Sequence, residues 1–277
     1  MVERNRHRMT KGGCFVNWLK KLPRINLSKI NLSKINLSQK DKKTLCIVAA
    51  ALVLVLTVFL FLYTNGYSGL HNHKKAREGQ IKVACVGDSI TYGHGVSGWA
   101  RNNYPATLQK LLGKEYNVRN FGHSGRTASE NGDKPYTESK QFKLSLEYDA
   151  DILVIMLGSN DTKPQNWSGV HDFITEYGAI VDAYLQNNPD LRVIICTPAQ
   201  AFYPDSKSSG TTNFDIQPEY VSQIRNYLCT YALSHKFEVV DIYDLTANHP
   251  EWFEKDNVHP SNDGAKAIAE MIAKKIK

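Results

Sequence analysis

Residues 44–63 form an uninterrupted stretch without a charged side chain, and almost every position in it is apolar. About 20 such residues are enough for a helix to cross the hydrocarbon core of a bilayer. Lys40, Lys42 and Lys43 stand directly before the stretch, and basic residues favour the cytoplasmic side of a membrane. The pattern therefore predicts a single-pass transmembrane signal-anchor, with the rest of the chain outside the cell membrane. A signal peptide that is cleaved to leave a secreted domain is the alternative.

From Ile81 to the C-terminus the pattern changes to short apolar runs that alternate with segments of helical spacing. Continuous apolar runs are typical of strands buried on both faces, and the alternation predicts an α/β domain with a parallel sheet between two layers of helices. The predicted strands are Ile81–Val86, Tyr116–Phe121, Ile152–Leu157, Arg192–Cys196 and Glu238–Ile242. The predicted helices are Tyr104–Leu112, Ser139–Glu147, Val170–Gln186, Glu219–His235 and Gly264–Ile276.

These patterns divide the chain into four regions. Residues 1–43 are a basic segment on the predicted cytoplasmic side, residues 44–63 are the anchor, residues 64–80 are a polar linker, and residues 81–277 are the α/β domain. The basic segment includes a five-residue repeat at residues 25–39, with two copies of Ile-Asn-Leu-Ser-Lys and one of Ile-Asn-Leu-Ser-Gln. A period of five matches neither a helix nor a strand, so we assign the repeats no catalytic role.

The net charge of +7 comes from one end of the chain. Residues 1–43 hold 12 of the 34 Lys/Arg and 2 of the 27 Asp/Glu, which leaves 22 basic and 25 acidic residues for the remainder. A domain that binds nucleic acid needs a basic surface of its own. The remainder is mildly acidic, so the sequence argues against nucleic acid as a partner.

Four polar motifs lie at the ends of predicted strands or just before the last predicted helix. In a parallel sheet the loops at the carboxyl ends of the strands meet, and sites form there. Each motif alone could be a tight turn, a helix cap or a solvated loop, but the four together at these positions indicate one functional site. They are Gly87-Asp88-Ser89-Ile90-Thr91, Gly122-His123-Ser124-Gly125-Arg126-Thr127, Gly158-Ser159-Asn160-Asp161 and Asp256-Asn257-Val258-His259-Pro260.

The order of these motifs resembles that of the SGNH/GDSL hydrolases over about residues 81–277. Ser89, Gly125, Asn160 and His259 match the four letters of the family name. The resemblance implies a flavodoxin-like three-layer α/β/α sandwich with about five parallel strands, here preceded by one transmembrane helix. The sequence around Ser89 lacks the second glycine of the G-x-S-x-G turn of α/β-hydrolases, so that fold is the weaker match.

The residue types suit the hydrolysis of an ester. A serine hydroxyl needs an adjacent base to become a nucleophile, so we expect His259 to take the proton of Ser89 and Asp256 to orient the imidazole. The resemblance assigns the binding of the oxyanion to the backbone N–H groups of Ser89 and Gly125 and to the side-chain amide of Asn160. This chemistry calls for no metal and no organic cofactor.

Three loops resemble those of family members that remove O-acetyl groups from carbohydrates. Trp167 and Trp252 are candidates for stacking on a sugar, although both could equally be packing aromatics, and Asp88 is a further candidate for substrate binding. The predicted loop at residues 204–217 is polar, which favours a polar substrate over a lipid. The three loops are Asp133–Tyr136, Asn160–Trp167 and His249–Phe253.

The leading hypothesis is therefore a membrane-tethered serine esterase that hydrolyses acetyl esters on carbohydrates, with a small-molecule or glycan ester as its substrate. A broad-specificity esterase, lysophospholipase or thioesterase on the outer membrane face is the alternative within the same class. A binding module that keeps the fold without catalysis is the alternative from another class. The presence of Ser89, Asp256, His259, Gly125 and Asn160 together argues against such a module.

Overall fold

The structure, a computed structural model, describes residues 38–64, 75–204 and 212–277. Most of the predicted basic segment with its repeats, most of the predicted linker, and residues 205–211 of the predicted polar loop lie outside the described residues. The chain divides into two units, one that ends at Leu56 and one that begins at Thr57. Each unit is described by itself.

The predicted anchor forms helix α1, which spans Gln39–Thr64. Over Gln39–Leu60 it has a mean hydropathy of 2.5, and none of its most apolar window is buried. Leu52, Leu54 and Val55 are each more than half exposed. The helix is long and apolar enough to cross a membrane, a test that a signal sequence near the N-terminus also passes.

The second unit is built on one five-stranded parallel sheet in the order β2-β1-β3-β4-β5. Strand β1 lies between β2 and β3, and its residue Val83 lies opposite both Val118 of β2 and Ile152 of β3. This arrangement confirms the predicted parallel α/β fold. The strands are β1 Ile81–Gly87, β2 Tyr116–Gly122, β3 Ile152–Met156, β4 Arg192–Cys196 and β5 Glu238–Val240.

The helices cover both faces of the sheet, and two 3₁₀ turns lie in its connecting loops, at Asn160–Thr162 and Pro250–Trp252. Five of the helices are the five that the sequence predicts, with bounds that differ by no more than two residues. The helices are α2 Ser89–Tyr92, α3 Trp99–Asn102, α4 Tyr104–Leu112, α5 Lys140–Tyr148, α6 Val170–Asn187, α7 Pro218–His235, α8 Ile242–Thr246 and α9 Asn262–Ile276.

The alternation of side chains along the strands divides the core into two apolar clusters, one on each face of the sheet. On one face Val83 of β1 shares a cluster with Leu108 of α4 and Ile268 of α9. On the other face Val86 shares a cluster with Tyr177 of α6, beside residues of α5 and α7. Full burial of one such aliphatic side chain contributes about 1.5–3 kcal/mol. Both faces of the sheet are therefore packed against helices, which fixes the points at which its loops leave the strands.

The predicted end of the last strand is wrong by two residues. The sequence predicts a strand over Glu238–Ile242, but β5 ends at Val240. The side chain of Asp241 accepts a hydrogen bond from the backbone N–H of Asp244 at 3.2 Å and caps helix α8. The apolar residue Ile242 therefore belongs to a helix and not to the strand before it.

Candidate active site

The four polar motifs meet at the carboxyl edge of the sheet, as expected for a parallel α/β fold. Ser89 follows β1, Gly125 follows β2, Asn160 follows β3, and His259 precedes α9. These four residues line one cavity of about 260 Å³. The structure thus brings together residues that are up to 170 positions apart in the sequence.

The turn that presents Ser89 is fixed by its neighbours. The chain leaves β1 at Gly87, where a Cβ would lie only 2.4 Å from the carbonyl oxygen of Met156, so no other residue fits. Asp88 then caps the short helix α2, because its carboxylate accepts the backbone N–H of Ile90 at 2.9 Å. Ser89 is the first residue of that helix and keeps 9 % of its surface exposed, toward the cavity.

A continuous line of hydrogen bonds runs from Asp256 through His259 to Ser89. The distance from His259 Nε2 to Ser89 Oγ is 2.9 Å, and the distance from His259 Nδ1 to Asp256 Oδ2 is 2.8 Å. The other oxygen of Asp256 accepts the backbone N–H groups of Val258 and His259 at 2.9 and 2.8 Å. With a proton on Nδ1 facing the carboxylate, Nε2 is free to accept the proton of the serine.

The environment favours a neutral imidazole next to an ionised carboxylate. Burial lowers the pKa of His259, and Asp256 opposes this effect by stabilising the imidazolium. Burial acts to raise the pKa of Asp256, but the hydrogen bonds from His259 and Val258 outweigh it, and the pKa lies below its usual value. At neutral pH, His259 is therefore held in the form that a general base requires.

Three hydrogen-bond donors belong to residues that line the cavity with Ser89 Oγ: the backbone N–H groups of Ser89 and Gly125 and the side-chain amide of Asn160. The backbone N–H groups of Ser89 and Gly125 donate to no acceptor in the part of the chain that the structure describes. The side-chain amide of Asn160 donates to the carbonyl oxygen of Arg126 at 3.1 Å and to the carboxylate of Asp88 at 3.4 Å, so it would have to turn from one of these acceptors to bind a substrate oxygen. Gly125 adopts a φ of +79°, which a residue with a side chain rarely does. Such a set of donors can hold a negatively charged oxygen.

Two buried residues next to Asn160 tie its loop in place. Asn166 donates its side-chain amide to the backbone carbonyl of Asn160 at 2.9 Å. Asp161 accepts the backbone N–H groups of Ala128 and Ser129 at 3.1 and 2.8 Å, which joins the loop after β3 to the loop after β2. Burial raises the pKa of Asp161 to about 7. The sequence singles out Asp161 within its motif but does not predict this role.

The three predicted substrate-binding residues do not line the cavity. Asp88 is buried behind Ser89, and burial raises the pKa of its carboxyl to about 6. Trp167 stacks on Tyr220 with ring centroids 4.4 Å apart, and Trp252 stacks on His249 at 3.7 Å. Trp252 also packs against the first apolar cluster and Trp167 against the second. Their contact with a sugar stays a prediction, since it needs a substrate that extends beyond the cavity.

The cavity wall also contains residues that the sequence analysis did not single out: His94, Lys134, Lys163 and Phe214. The ring of His94 lies 4.3 Å from that of His259. The two lysines fall within loops that the sequence analysis noted for other residues, at Asp133–Tyr136 and Asn160–Trp167. A lysine in a polar loop is ordinarily solvated, and no periodic pattern distinguishes these two lysines from solvated ones.

One group of side chains in the described residues has the spacing of metal ligands. Atoms of His94, Asp256 and His259 lie within 4.8 Å of one another. Two of these residues already share the hydrogen bond between Nδ1 and the carboxylate. A cation held there would displace that proton, so metal binding and general-base chemistry by His259 would exclude each other at this position.

Comparison with known proteins agrees with the predicted family. The sequence profile of the GDSL-like Lipase/Acylhydrolase family matches residues 85–267. An acetylxylan esterase of Xylanibacter ruminicola is 34 % identical over 221 residues, which cover 73 % of this chain and 44 % of that protein. The chain therefore spans less than half the length of that relative.

Solved structures with the same fold are more distant in sequence. Est24, a carbohydrate acetylesterase of Sinorhizobium meliloti, superposes with a TM-score of 0.58 at 21 % identity and covers 71 % of this chain and 98 % of its own. An aryl esterase of M. smegmatis has a TM-score of 0.57 at 16 % identity, with coverage of 71 % and 98 %. At these identities the likeness concerns the fold alone. The family match over most of the α/β domain is what establishes that the chain belongs to the GDSL-like lipases and acylhydrolases, a family of carboxylic ester hydrolases.

Proposed function

We propose that the α/β domain is a serine esterase that removes acetyl groups from carbohydrates. The observation that supports it best is the line of hydrogen bonds from Asp256 through His259 to the hydroxyl of Ser89, at the wall of a cavity that opens to solvent. A hydroxyl that faces an imidazole in this way is the arrangement that activates a serine toward an ester carbonyl. All the groups that the reaction needs belong to the chain itself.

The proposed reaction proceeds in two halves. Ser89 Oγ attacks the acetyl carbonyl carbon while its proton moves to His259 Nε2, and the negative charge on the carbonyl oxygen is held by the donors of Ser89, Gly125 and Asn160. The ester bond then breaks, and Nε2 returns the proton to the departing sugar hydroxyl. In the second half a water molecule gives its proton to His259 and attacks the acetyl-serine. Acetate is released and the hydroxyl of Ser89 is restored.

Two observations favour a short acyl group on a polar alcohol. The cavity has a volume of about 260 Å³, and its apolar wall near Ser89 consists of a few side chains that include Ile90, Ile216 and Val258. The acetylxylan esterase relative bears a name that specifies an acetyl group on a carbohydrate. A lipid-hydrolysing site would need a longer apolar channel for the acyl chain, so a lysophospholipase fits less well.

The acyl preference can be measured with aryl esters of increasing chain length. We expect kcat/KM to fall steeply from acetyl to octanoyl, because each added methylene must enter space that the cavity lacks. A channel that buried the chain would give the opposite trend, since each buried methylene contributes about 0.8 kcal/mol. Acetate release from acetylated xylan should accompany cleavage of the aryl acetate. Faster cleavage of octanoyl than of acetyl esters would overturn the acetyl proposal without touching the role of Ser89.

The organisation of the chain is part of the proposal. We infer that α1 anchors the protein in a single pass, that residues 1–43 remain on the cytoplasmic side, and that a linker at 64–80 carries the esterase domain outside. Lys40, Lys42 and Lys43 before the helix support this orientation. Acetylated glycans outside the cell membrane would then be accessible to the domain.

Fractionation of cells that express the full chain tests this topology. We expect the protein to remain in the membrane pellet after carbonate extraction, because a spanning apolar helix is not released by high pH. Protease added to intact cells should free a fragment of the size of the α/β domain. Recovery of the domain in the medium without protease would indicate a cleaved signal peptide. A full-length soluble protein in the cytoplasm would contradict the anchor.

A further inference from the structure

The cavity beside Ser89 carries positive charge that the proposed reaction does not use. Lys134 and Lys163 both line it, as do His94 and His259. No aspartate or glutamate is among the described residues that line this cavity. An ester bound there therefore meets a wall whose formal charge is positive.

The two lysines approach the reaction centre from different loops. Lys134 belongs to the segment after β2, and its Nζ lies 3.8 Å from the point where a Cβ on Gly125 would stand. Lys163 directly follows the 3₁₀ turn that contains Asn160. Its charge contributes to lowering the pKa of His259, so its ammonium acts within electrostatic reach of the imidazole. Both positive charges thus lie at the wall of the cavity that a bound ester would enter.

Neither lysine makes an ion pair within the described residues, although the charge of Lys163 also acts to lower the pKa of the buried carboxyl of Asp88. Lys82 pairs with Asp149 at 3.3 Å, but no ion pair in the described part of the chain includes Lys134 or Lys163. Two cations in the wall of one cavity both attract an anion that is bound in that cavity. The attraction between a cation and an anion is stronger inside a cleft than on an open surface, because the walls of the cleft focus the electric field.

We propose that Lys134 and Lys163 select an ester whose sugar carries a carboxylate, so that the site prefers acetylated uronic-acid glycans to neutral acetylated glycans. The inference rests on the proposed carbohydrate esterase function and names the class of alcohol. A carboxylate on the sugar ring would lie close to an acetyl group on the same or the next ring. Lysine supplies a point charge on a flexible stem, which accommodates a carboxylate at more than one such position.

The preference is tested with two polymers that share a backbone and differ in whether their carboxyl groups are charged or methyl-esterified. The full-length protein in non-ionic detergent is given acetylated polygalacturonate, or the same polymer after methyl esterification of its carboxylates, and acetate release is measured. At low salt we expect kcat/KM to be roughly 10-fold higher on the charged polymer, because partly solvated charge pairs give effects of this order. Added NaCl should reduce the ratio, since salt screens exposed charges.

Variants assign the preference to the two lysines. In the double variant Lys134→Gln, Lys163→Gln we expect the ratio of the two rates to fall to within about 2-fold of unity. The charge-preserving double variant Lys134→Arg, Lys163→Arg should keep most of it, which separates charge from misfolding. Lys143→Gln is the matched control, because Lys143 is exposed on α5 and does not line the cavity.

The outcomes separate this inference from the function on which it rests. Equal acetate release from the two polymers, or release from acetylated xylan alone, would overturn the preference and leave the esterase proposal intact. A charge preference that survives in the double glutamine variant would overturn the role of the lysines. If aryl acetate is cleaved but no glycan releases acetate, the carbohydrate proposal fails and the preference fails with it.

Discussion

Replacement of Ser89 by alanine is expected to reduce ester hydrolysis by a factor on the order of 10⁴ to 10⁶, as for other serine hydrolases that lose the nucleophile. The hydroxyl is the only part of the side chain that is removed, and in the proposed reaction no other group can form the acetyl-enzyme. Hydrolysis of aryl acetate under saturating substrate gives kcat directly. The thermal midpoint should change little, because the residue keeps its place at the start of α2 and loses only its bond to His259.

Ser124 provides the matched control for this substitution. It is an exposed serine that lines the same cavity, and none of the hydrogen bonds in the described residues connects its hydroxyl to a histidine. Ser124→Ala should therefore lose far less activity than Ser89→Ala, by no more than a few-fold. A Ser89→Ala enzyme that keeps a tenth of the wild-type rate would show that Ser89 is not the nucleophile. Equal losses in the two variants would point to a general effect on the cavity.

The parts of the fold that the sequence predicts well are those in which burial dictates the residue types. Strand β3 is buried along its whole length, so Ile152–Met156 contains apolar residues without interruption. Helix α4 has an asparagine cap and a proline in its first turn, and its bounds match the prediction at both ends. Local signals and the tertiary environment agree in these segments, and the prediction needs no knowledge of the partners.

Prediction fails where a short element depends on one specific contact. Helix α2 has four residues, too few for a hydrophobic period, and only the cap at Asp88, one of the alternatives that its motif leaves open, marks its start. The end of β5 depends in the same way on Asp241, which caps α8. An aspartate at such a point is compatible with a strand end, a turn or a cap, and only the fold around it selects one.

The sequence predicts one part of the candidate site, the residues in motifs at strand ends, but not the other part, the wall of the cavity. The identity of Ser89, Asn160, Asp256 and His259 follows from motifs at strand ends, because parallel strands bring their carboxyl ends together whatever their separation along the chain. The wall of the cavity does not follow, because it depends on where flexible side chains in neighbouring loops point. For this reason the sequence does not predict that Lys134 lines the cavity. Nor does it predict that Trp167 stacks on Tyr220 and does not line the cavity.

Removal of the Asn160 amide is expected to lower kcat on aryl acetate by roughly 100- to 1000-fold, the usual effect of losing one donor to an oxyanion, with a much smaller change in KM. Asn160 is 5 % exposed and lines the cavity beside Ser89. In the proposed reaction, a hydrogen bond from this amide to the carbonyl oxygen would strengthen as negative charge develops there, so Asn160→Ala should affect the transition state more than substrate binding.

Asn160→Ala also removes two structural hydrogen bonds, from the amide to the carbonyl oxygen of Arg126 and to the carboxylate of Asp88. Asn166→Ala is the control for that contribution, because Asn166 is another buried amide of the loop that holds Asn160 in place but does not line the cavity. If Asn160 acts on the oxyanion, Asn160→Ala should lose much more kcat than Asn166→Ala, while their thermal midpoints fall by similar amounts. Similar losses of kcat in both variants, in proportion to the loss of stability, would instead assign Asn160 a structural role and leave the oxyanion to the two backbone donors.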